Sequence, residues 1–535
     1  MKEFEKCWPE GFNEKIPNMV KTQANAQRYI KVGESKVYDT ELIYTRVIGL
    51  QASSREFDVK QLLCHELAPI PTSMFTETGE MRVAKAKSAL KNALMTEVST
   101  TEVTINLSTS VIDGSAVLYC IRWPTVGTVM DYVVDFRKYI ERKLVYRDIY
   151  LVFDRYKDYS TKSATRAGRG ASQEKARLHN LSTTMQMPKQ KTILAVPENK
   201  KQLIAIIVED LTTNLHFPDN CSPERKLVVT GQNDTPVEIT RVCNIQRQDL
   251  RTSHEEADNI IVQQVIYVAK ATRNNISVIS DDTDVFLLLM YHYAREELSV
   301  DVIMESVVQG RATIDIKSTV NAHKSIIPDI LAAHALSGCD TTACYFGIGK
   351  GTVLKVLKSG AFPIPAVGDT SVSFDIVLEQ STKFVSAFYG ITAENEQMSN
   401  VRQRIWALKV GKSPSAAPKL CMLPPTSEAF VENVKRAHLQ TCIWKTAVNA
   451  DPPNIDPASF GWEKNDKTMS FDPIMLPKHT KLAPASVLQL IKCSCESQMP
   501  CSTLRCRCSR SGLPCTIFCV CQGCSFCCND LTKHT

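Results

Sequence analysis

Val111-Ile-Asp-Gly-Ser-Ala116 and Ile149-Tyr-Leu-Val-Phe-Asp154 decide how this chain is read. Each is a short apolar run of strand type that stops at an aspartate. Between them Val129, Val133, Phe136, Ile140 and Leu144 recur at helical spacing. Strand, amphipathic helix and strand make a β-α-β unit, and such units favour parallel strands because the crossover returns the chain to the same end of the sheet. Outward from this unit the alternation continues. Strands are expected at KLVV from Lys226 and ISVIS from Ile276, with a helix from Glu256 to about Lys270 between them. VDVIMESV and RATIDI read as an added hairpin, and IIPDILAAHALSG as the helix leading to Asp340. The expected fold is α/β, with a mainly parallel central sheet flanked by helices.

The whole chain of 535 residues exceeds one ordinary domain, and 44% hydrophobic with 22% charged residues is a globular balance. We divide it into an N-terminal accessory region (1–100), a core (101–410) with a basic loop (155–192), a Pro-rich, partly ordered linker (411–490) and a Cys-rich module (491–529). The accessory region has a helical pattern around Val83 to Leu94 and no reactive cluster. The basic loop carries nine Lys or Arg against Asp158 and Glu174, and the stretch from Ser413 to Ala485 holds ten of the 25 prolines around one helix, from about Thr426 to Ala447. A formal net charge of +6 is too mild to identify an acidic partner. The polar start MKEFEKCWPEG and the lack of an apolar run near the roughly 20 residues needed to cross a bilayer lead us to expect a soluble intracellular protein with no membrane partner.

Four segments place carboxylates where a strand stops or a helix starts: VIDGSA (Asp113), LVFDRY (Asp154), HEEADN (Glu255, Glu256, Asp258) and ISDDTDVF (Asp281, Asp282, Asp284), with Asp340 in ALSGCDTT as a fifth. Ligand crevices of parallel sheets lie at the carboxyl ends of strands, so acids far apart in sequence can converge there. Their mutual repulsion calls for cations. Hard oxygen donors suit Mg²⁺ or Mn²⁺, and two such ions about 3.5 to 4 Å apart can generate hydroxide and stabilise a leaving oxygen in phosphodiester hydrolysis. Taken singly, each acid is more simply a turn former or helix cap; their joint order is what favours a site. Downstream, Gly347-Ile348-Gly349 before Lys350 and an amphipathic VLKVLK helix would let backbone approach a phosphate at a helix N-terminus.

The order IDG, VFD, EEAD, SDDTD and GCD followed by FGIGKGTVLKVL resembles the flap endonuclease and XPG-like nuclease superfamily over about Val111 to Leu357. The resemblance implies a PIN-like core that binds two divalent metals and cuts nucleic acid near junctions. Carried over, Asp113 and Asp154 match the acids ending the first two core strands, Glu256 and Asp258 the internal acidic pair, Asp282 and Asp284 the following Asp-x-Asp pair, and Asp340 the acid before the helical DNA-binding motif. Gly347, Gly349 and Lys350 then become DNA contacts. Lys162, Arg166 and Arg169, at helical spacing in the basic loop, become candidates for the scissile phosphate. The chain departs from the family in about 110 residues before Asp113, in Asp258 where the family has Glu, and in Arg155 where it has Gly. The blocks HEEADNIIVQQV and LAAHALSGCDTT are also similar to multicopy animal proteins of mobile-element character, a resemblance that brings no assigned activity.

Of 20 cysteines, 11 fall between Cys493 and Cys528. Cys493, Cys495, Cys501, Cys506, Cys508, Cys515, Cys519, Cys521 and Cys524 follow C-x-C-x5-C-x4-C-x-C-x6-C-x3-C-x-C-x2-C, too dense for a hydrophobic core and well suited to thiolate-bound zinc, which would supply most of the folding free energy. The pattern resembles the tesmin-type CXC (CRC) domain, which implies three zinc ions shared by nine cysteines and contact with DNA. Arg505 stands where DNA-reading members have Tyr, leaving phosphate contact by Arg505, Arg507 and Arg510 as the expected role. Cys527 and Cys528 fall outside the nine. The sequence-based expectation is a Mg²⁺- or Mn²⁺-dependent nuclease acting on DNA in the nucleus, tethered by its zinc module. A DNA-binding protein of the same fold without productive metal geometry is the competing reading, and RNA is the alternative substrate.

Overall fold

A computed structural model describes residues 29–32, 35–38, 59–84, 86–98, 107–162, 177–308, 310–409 and 419–484, together with 493–496, 501–503, 505–510, 515, 519–521 and 527–529. Its centre is an eight-stranded sheet. In chain order the strands are β1 (Leu107–Asp113), β2 (Asp148–Val152), β3 (Leu227–Thr230), β4 (Val237–Ile239), β5 (Asn244–Gln246), β6 (Asn275–Ile279), β7 (Val302–Glu305) and β8 (Ile314–Asp315). Across the sheet the order is β8-β7-β6-β1-β2-β3-β4-β5. The five inner strands, β7-β6-β1-β2-β3, run parallel, and the edges are closed by antiparallel β8 on one side and β4-β5 on the other.

The period of two along a strand sends successive side chains to opposite faces, and both faces are covered here. On β2, Ile149 and Leu151 pack into one core while Tyr150 and Val152 pack into the other; on β1, Ile112 and Val111 divide in the same way. The helices Val129–Leu144 and Pro197–Asn214 cover the first face, and Ala257–Thr272, Thr283–Arg295 and Ile327–Leu336 the second. Val129–Leu144 buries the five apolar residues that marked it in the sequence, and its start is fixed by a capping box in which Asp131 N–H donates to Thr128 Oγ1 (3.3 Å) and Thr128 N–H to Asp131 Oδ2 (2.7 Å).

Chain connectivity makes the site. From β1 the chain winds outward through β2 to β3, then returns to lay β6 on the other side of β1 and continues to β7. β1 and β6 are therefore the switch point, where the connections leave in opposite directions and a crevice opens at the carboxyl ends of the strands. Gly114 follows β1 because a Cβ there would stand 2.5 Å from the buried Phe153 ring.

Three segments differ from the sequence reading. Within the stretch read as a linker, Ser427–Lys445 is a helix packed on Ile327–Leu336, with Phe430, Val434, Ala437 and Trp444 in the main core. The prolines flank this helix, so the composition that resembled a spacer is that of turns around a core element. Within the accessory region, Leu62, Leu63, Leu67, Met74, Phe75, Leu90 and Leu94 belong to the same core, the helix expected around Val83 to Leu94 spans Ser88–Leu94, and a further short helix spans Val59–Leu63. VDVIMESV also exceeds a peripheral hairpin, since β7 pairs in parallel with β6 as well as antiparallel with β8.

Removing the buried Trp444 side chain tests the placement of that helix. Trp444→Ala is expected to lower unfolding free energy by roughly 3 to 5 kcal/mol in urea titrations, whereas a linker residue would change it by less than about 0.5 kcal/mol.

Candidate metal centre

Each acid reaches the crevice because a strand has just ended or a helix has just begun. Asp113 closes β1 and caps Gly114–Cys120: its Oδ1 accepts from Ala116 N–H (3.0 Å) and its Oδ2 from Ser280 Oγ (3.3 Å), just beyond β6. Asp154 lies two residues past β2, with Oδ1 accepting from Ala257 N–H (3.1 Å) and Oδ2 from Ser115 Oγ (3.1 Å). Asp282 caps Thr283–Arg295 by accepting from Asp284 N–H (2.8 Å), and Asp284 occupies the first turn of that helix. Glu256 precedes Ala257–Thr272 and Asp258 lies in its first turn. The capping and site readings coexist, because a cap engages one carboxylate oxygen and leaves the other available. Asp281, adjacent in sequence, turns away to Ser306 Oγ (2.8 Å) and Arg311 (3.1 Å).

Burial and mutual repulsion govern the protonation of these groups. Burial, then the neighbouring Asp154, pushes the Asp113 carboxyl up from 3.8 to about 7. Burial, then Asp284, pushes Asp282 up to about 6. Burial raises Asp258 well above its ordinary value, with Asp282, Asp284 and Glu256 adding to the shift, and raises Glu256 as well. Asp284 is the exception: against the effect of burial, Lys87 and a hydrogen bond from His334 hold it far below the usual range.

Three lysines face the acids. The Lys162 ammonium lies 3.1 Å from Glu256 Oε2 and 3.5 Å from Asp258 Oδ2; Lys200 lies 3.9 Å from Asp154; Lys87 donates to Asp340 and lies 3.9 Å from Asp284 Oδ2. Among the described residues, no three of the acids bring one oxygen each within 4.8 Å of one another. The donor set is carboxylate oxygen throughout, the donor type that a hard divalent cation takes.

Behind Asp284 lies a buried relay that sequence reasoning missed. His334 Nε2 bonds to Asp284 Oδ1 (2.9 Å), its ring stacks on Trp444 at 5.5 Å between centroids, and Lys350 donates to its Nδ1 (3.0 Å). Burial and Lys350 lower the His334 pKa to about 4, so the ring is neutral near pH 7, donating to Asp284 and accepting from Lys350. Lys350 also donates to His334 O, Ser337 Oγ and Gly338 O. This corrects its assignment as a DNA contact: the ammonium group points into the protein and its hydrogen bonds are made there. Gly347 adopts φ +76°, and Gly349 caps Lys350–Ser359; a Cβ at either would meet nothing within 4 Å.

Arg155, which departs from the family's Gly, is 1% exposed and ties the crevice wall together, donating to Gly231 O (3.1 Å), Asn233 O (2.7 Å) and His254 O (2.9 Å). Tyr159 anchors the start of the basic loop, its N–H donating to Met469 O (2.7 Å) and its hydroxyl to Asp466 (3.0 Å). Arg166 and Arg169 lie outside the described residues. Lys87 and Lys200 were also missed. The signal for Lys87 was faint: Lys87 and Lys91 share one face of a short helix that buries Leu90 and Leu94.

In the C-terminal module Cys493, Cys501, Cys506, Cys508, Cys515, Cys519 and Cys521 are buried together, and Cys495 joins a group with Cys493, Cys501 and Cys506. Three further groups with sulfurs within 4.8 Å are Cys493-Cys506-Cys508-Cys515, Cys493-Cys515-Cys519-Cys521 and Cys501-Cys515-Cys521-Cys527, so Cys493 and Cys515 are shared. Cys527, which the nine-Cys pattern excludes, is inside the cluster, and Asn529 Nδ2–H donates to Cys515 Sγ (3.4 Å). Cys524 and the side chains of Arg507 and Arg510 fall outside the described residues, while Arg505 is exposed. No described helix is long and apolar enough to cross a membrane.

No protein-family model and no curated protein matches this chain. Among solved structures it is similar to the catalytic core of Rad2 in complex with DNA substrate, at 14% identity over 52% of this chain and 69% of that one, with a TM-score of 0.31. It is similar to the T5 D15 protein co-crystallised with metal ions, at 12% identity over 64% and 92% of the two chains (TM-score 0.30). A third likeness is to the bacteriophage T5 D15 flap endonuclease in a pseudo-enzyme-product complex with DNA and metal ions, at 11% identity over 64% and 99% (TM-score 0.30). At these values nothing about this chain's chemistry follows from the likeness.

The raised carboxyl pKa values fix a pH trend. In unfolded chain Asp113 and Asp282 lose their protons near their ordinary 3.8, but in the folded protein only near about 7 and 6. Folding stability contributed by these groups is thus present below about pH 4 and falls as pH rises through about 6 to 7. Asp284, held low, is ionised in both states over that window and adds no slope. Buried His254, His292 and His334, each lowered to about 4, contribute the opposite slope below about pH 6.5. The carboxylate part is therefore read against Asp113→Asn: in chelator the stability of wild type relative to the variant should fall between about pH 5 and 7.5, and a difference that stays flat or rises would contradict this picture.

Proposed function

We propose that this chain is a divalent-metal-dependent nuclease that hydrolyses phosphodiester bonds in DNA, structured or flapped DNA included. The observation that carries the reading is the convergence of buried carboxylates from separate chain segments on the switch point between β1 and β6, where Asp154 and Asp282 both help to push the Asp113 carboxyl up. Asp113, Asp154, Glu256, Asp258, Asp282, Asp284 and Asp340 would hold Mg²⁺ or Mn²⁺. When bound, such ions lower the pKa of water and stabilise the leaving oxygen. The chain's own groups do the rest. Neutral His334 keeps Asp284 ionised and oriented, and Lys162, between the acids and the basic loop, supplies positive charge beside an incoming phosphate. The open backbone at Gly347 and Gly349 would take a DNA phosphate remote from the reacting bond.

We also propose that the cysteine cluster binds zinc, about three ions as in the CXC pattern, and tethers the nuclease to DNA through Arg505 and Arg507 in the nucleus. Burial pushes the Cys493 and Cys501 thiols well above their usual range, a cost that zinc would remove by holding them as thiolates.

Purified protein incubated with flap, single-stranded and duplex DNA, and with RNA, should cut DNA in Mn²⁺ or Mg²⁺. Asp282→Ala and Asp340→Ala should each lose about 100-fold or more. Equal cutting by wild type and variants would mark a contaminant, and tight DNA binding without cutting would favour a non-catalytic role. In the tail, Cys527→Ser should release zinc to a chelator faster than wild type, read with a colorimetric indicator; identical zinc content and release rate would exclude Cys527 as a ligand.

A further inference from the structure

Lys162 lies 3.1 Å from Glu256 Oε2 and 3.5 Å from Asp258 Oδ2, with 13% of its side chain exposed. A lysine stem has four rotatable carbons, so an ammonium group keeps one place only where its backbone is held. The hold is three residues back. Tyr159 adopts φ +57°, a left-handed state that a bulky residue enters only when its surroundings impose it. Its N–H donates to Met469 O (2.7 Å) and its hydroxyl to Asp466 Oδ1 (3.0 Å). The Lys464 ammonium stands 4.3 Å from the centre of its ring, and Phe471 meets that ring edge-on at 6.2 Å. All four partners belong to one antiparallel hairpin, Trp462–Asn465 paired with Ser470–Pro473, and its turn.

The hairpin is itself mounted on the core. Arg436 grips both of its ends, donating to Gly461 O (2.9 Å) and Ile474 O (2.8 Å), and Trp462 and Phe471 pack with Leu439. Gly461, at φ +79°, would place a Cβ 2.5 Å from Glu432 O, so hairpin and helix Ser427–Lys445 meet backbone to backbone. The same helix carries Trp444, which stacks on His334 behind Asp284. Before Tyr159 the chain is fastened by Arg155 and by Lys157, whose ammonium donates to Ser253 O (2.9 Å). Lys162 lies beyond both, and its N–H donates to Ser160 Oγ (3.2 Å), next to Tyr159. Tyr159 is thus the anchor that adjoins the turn presenting Lys162.

We propose that Tyr159 is a positioning residue for Lys162: clamped by the Trp462–Pro473 hairpin, it sets the chain so that the Lys162 ammonium stands at the crevice, where an incoming DNA phosphate would meet it. The phosphate rests on the nuclease reading; the clamp rests on the contacts of Tyr159 alone. Tyr159 touches neither substrate nor reacting atoms and acts through Lys162. The hairpin, which comes from the stretch of sequence rich in proline, thereby gains a role in the site, and helix Ser427–Lys445 backs both the acid Asp284 and the cation Lys162.

The test has two arms on the full-length, zinc-loaded chain. In the first, lysines are methylated reductively with formaldehyde and a borane, without added Mn²⁺ or Mg²⁺, and each rate is read by mass spectrometry against exposed Lys138. Lys162 in wild type should react at least about tenfold more slowly than Lys138, and Tyr159→Ala should speed it about fivefold or more while leaving Lys138 unchanged. Tyr159→Phe and Asp466→Ala remove the same hydrogen bond and keep the packing, so both should speed Lys162 alike, by about twofold. Asp466 is exposed, so Asp466→Ala carries this arm if circular dichroism shows Tyr159→Ala to be unfolded. In the second arm, Tyr159→Ala should lower kcat/KM on DNA about tenfold in wild type but less than about twofold in Lys162→Met, because its effect runs through Lys162. Equal losses in the two backgrounds, or Lys162 methylation unchanged in every variant, would overturn the role of Tyr159 and leave the nuclease reading standing. Failure of wild type to cut any substrate would overturn the nuclease reading and, with it, the place of Lys162 at a phosphate, whatever the methylation rates.

Discussion

Carboxylates that are buried side by side repel one another, and the centre of this molecule is organised around that repulsion. Removing an ionised carboxylate from water is unfavourable, and placing another beside it compounds the cost unless positive charge is near. The fold accepts this because its topology leaves no other place for the acids. β1 and β6 are neighbours whose connections diverge, and the residues that end these strands and start the following helices must face one crevice. Asp113 and Asp282 respond by holding protons above their ordinary range, and Asp284 by recruiting Lys87 and His334.

Structural elements distant in sequence become intelligible from this constraint. Trp444 stacks on His334, His334 holds Asp284, and Lys350 fixes the imidazole from behind. A helix between Pro-rich turns is thereby coupled to the orientation of one carboxylate. Arg155 acts on the opposite wall, gathering carbonyls from the end of β3 and from the loop that delivers Glu256. Tyr159 ties the root of the basic loop to the hairpin at Trp462–Pro473, close to Lys162 and its two acids. The crevice is shaped by packing on both sides of the sheet.

The parallel sheet and most of its acids were legible because their signals are local. Short apolar runs, a 3.6-residue helical stripe and aspartates at or just past the ends of β1, β2 and β6 can be read one segment at a time. Several partners of these acids were not. Lys87, Lys200 and His334 have ordinary local contexts, and their meaning arises from contacts such as the 2.9 Å bond between His334 and Asp284, fifty positions apart. Lys350 was misread for a related reason: a lysine after GIG has the composition of a phosphate contact, while its direction is set by the carbonyls of Gly338 and His334. The region around Trp444 was obscured because proline content reports turns and does not say whether the element between them is buried. Strands β4 and β5 are three residues each, too short to yield a period.

A crystal soaked in Mn²⁺ and measured at the manganese absorption edge tests the central claim most directly. The account predicts an anomalous peak enclosed by Asp113, Asp154 and Asp282, with their carboxylates turned toward it. A well-ordered crevice with no peak in millimolar Mn²⁺, the acids still protonated or paired with lysines, would contradict it.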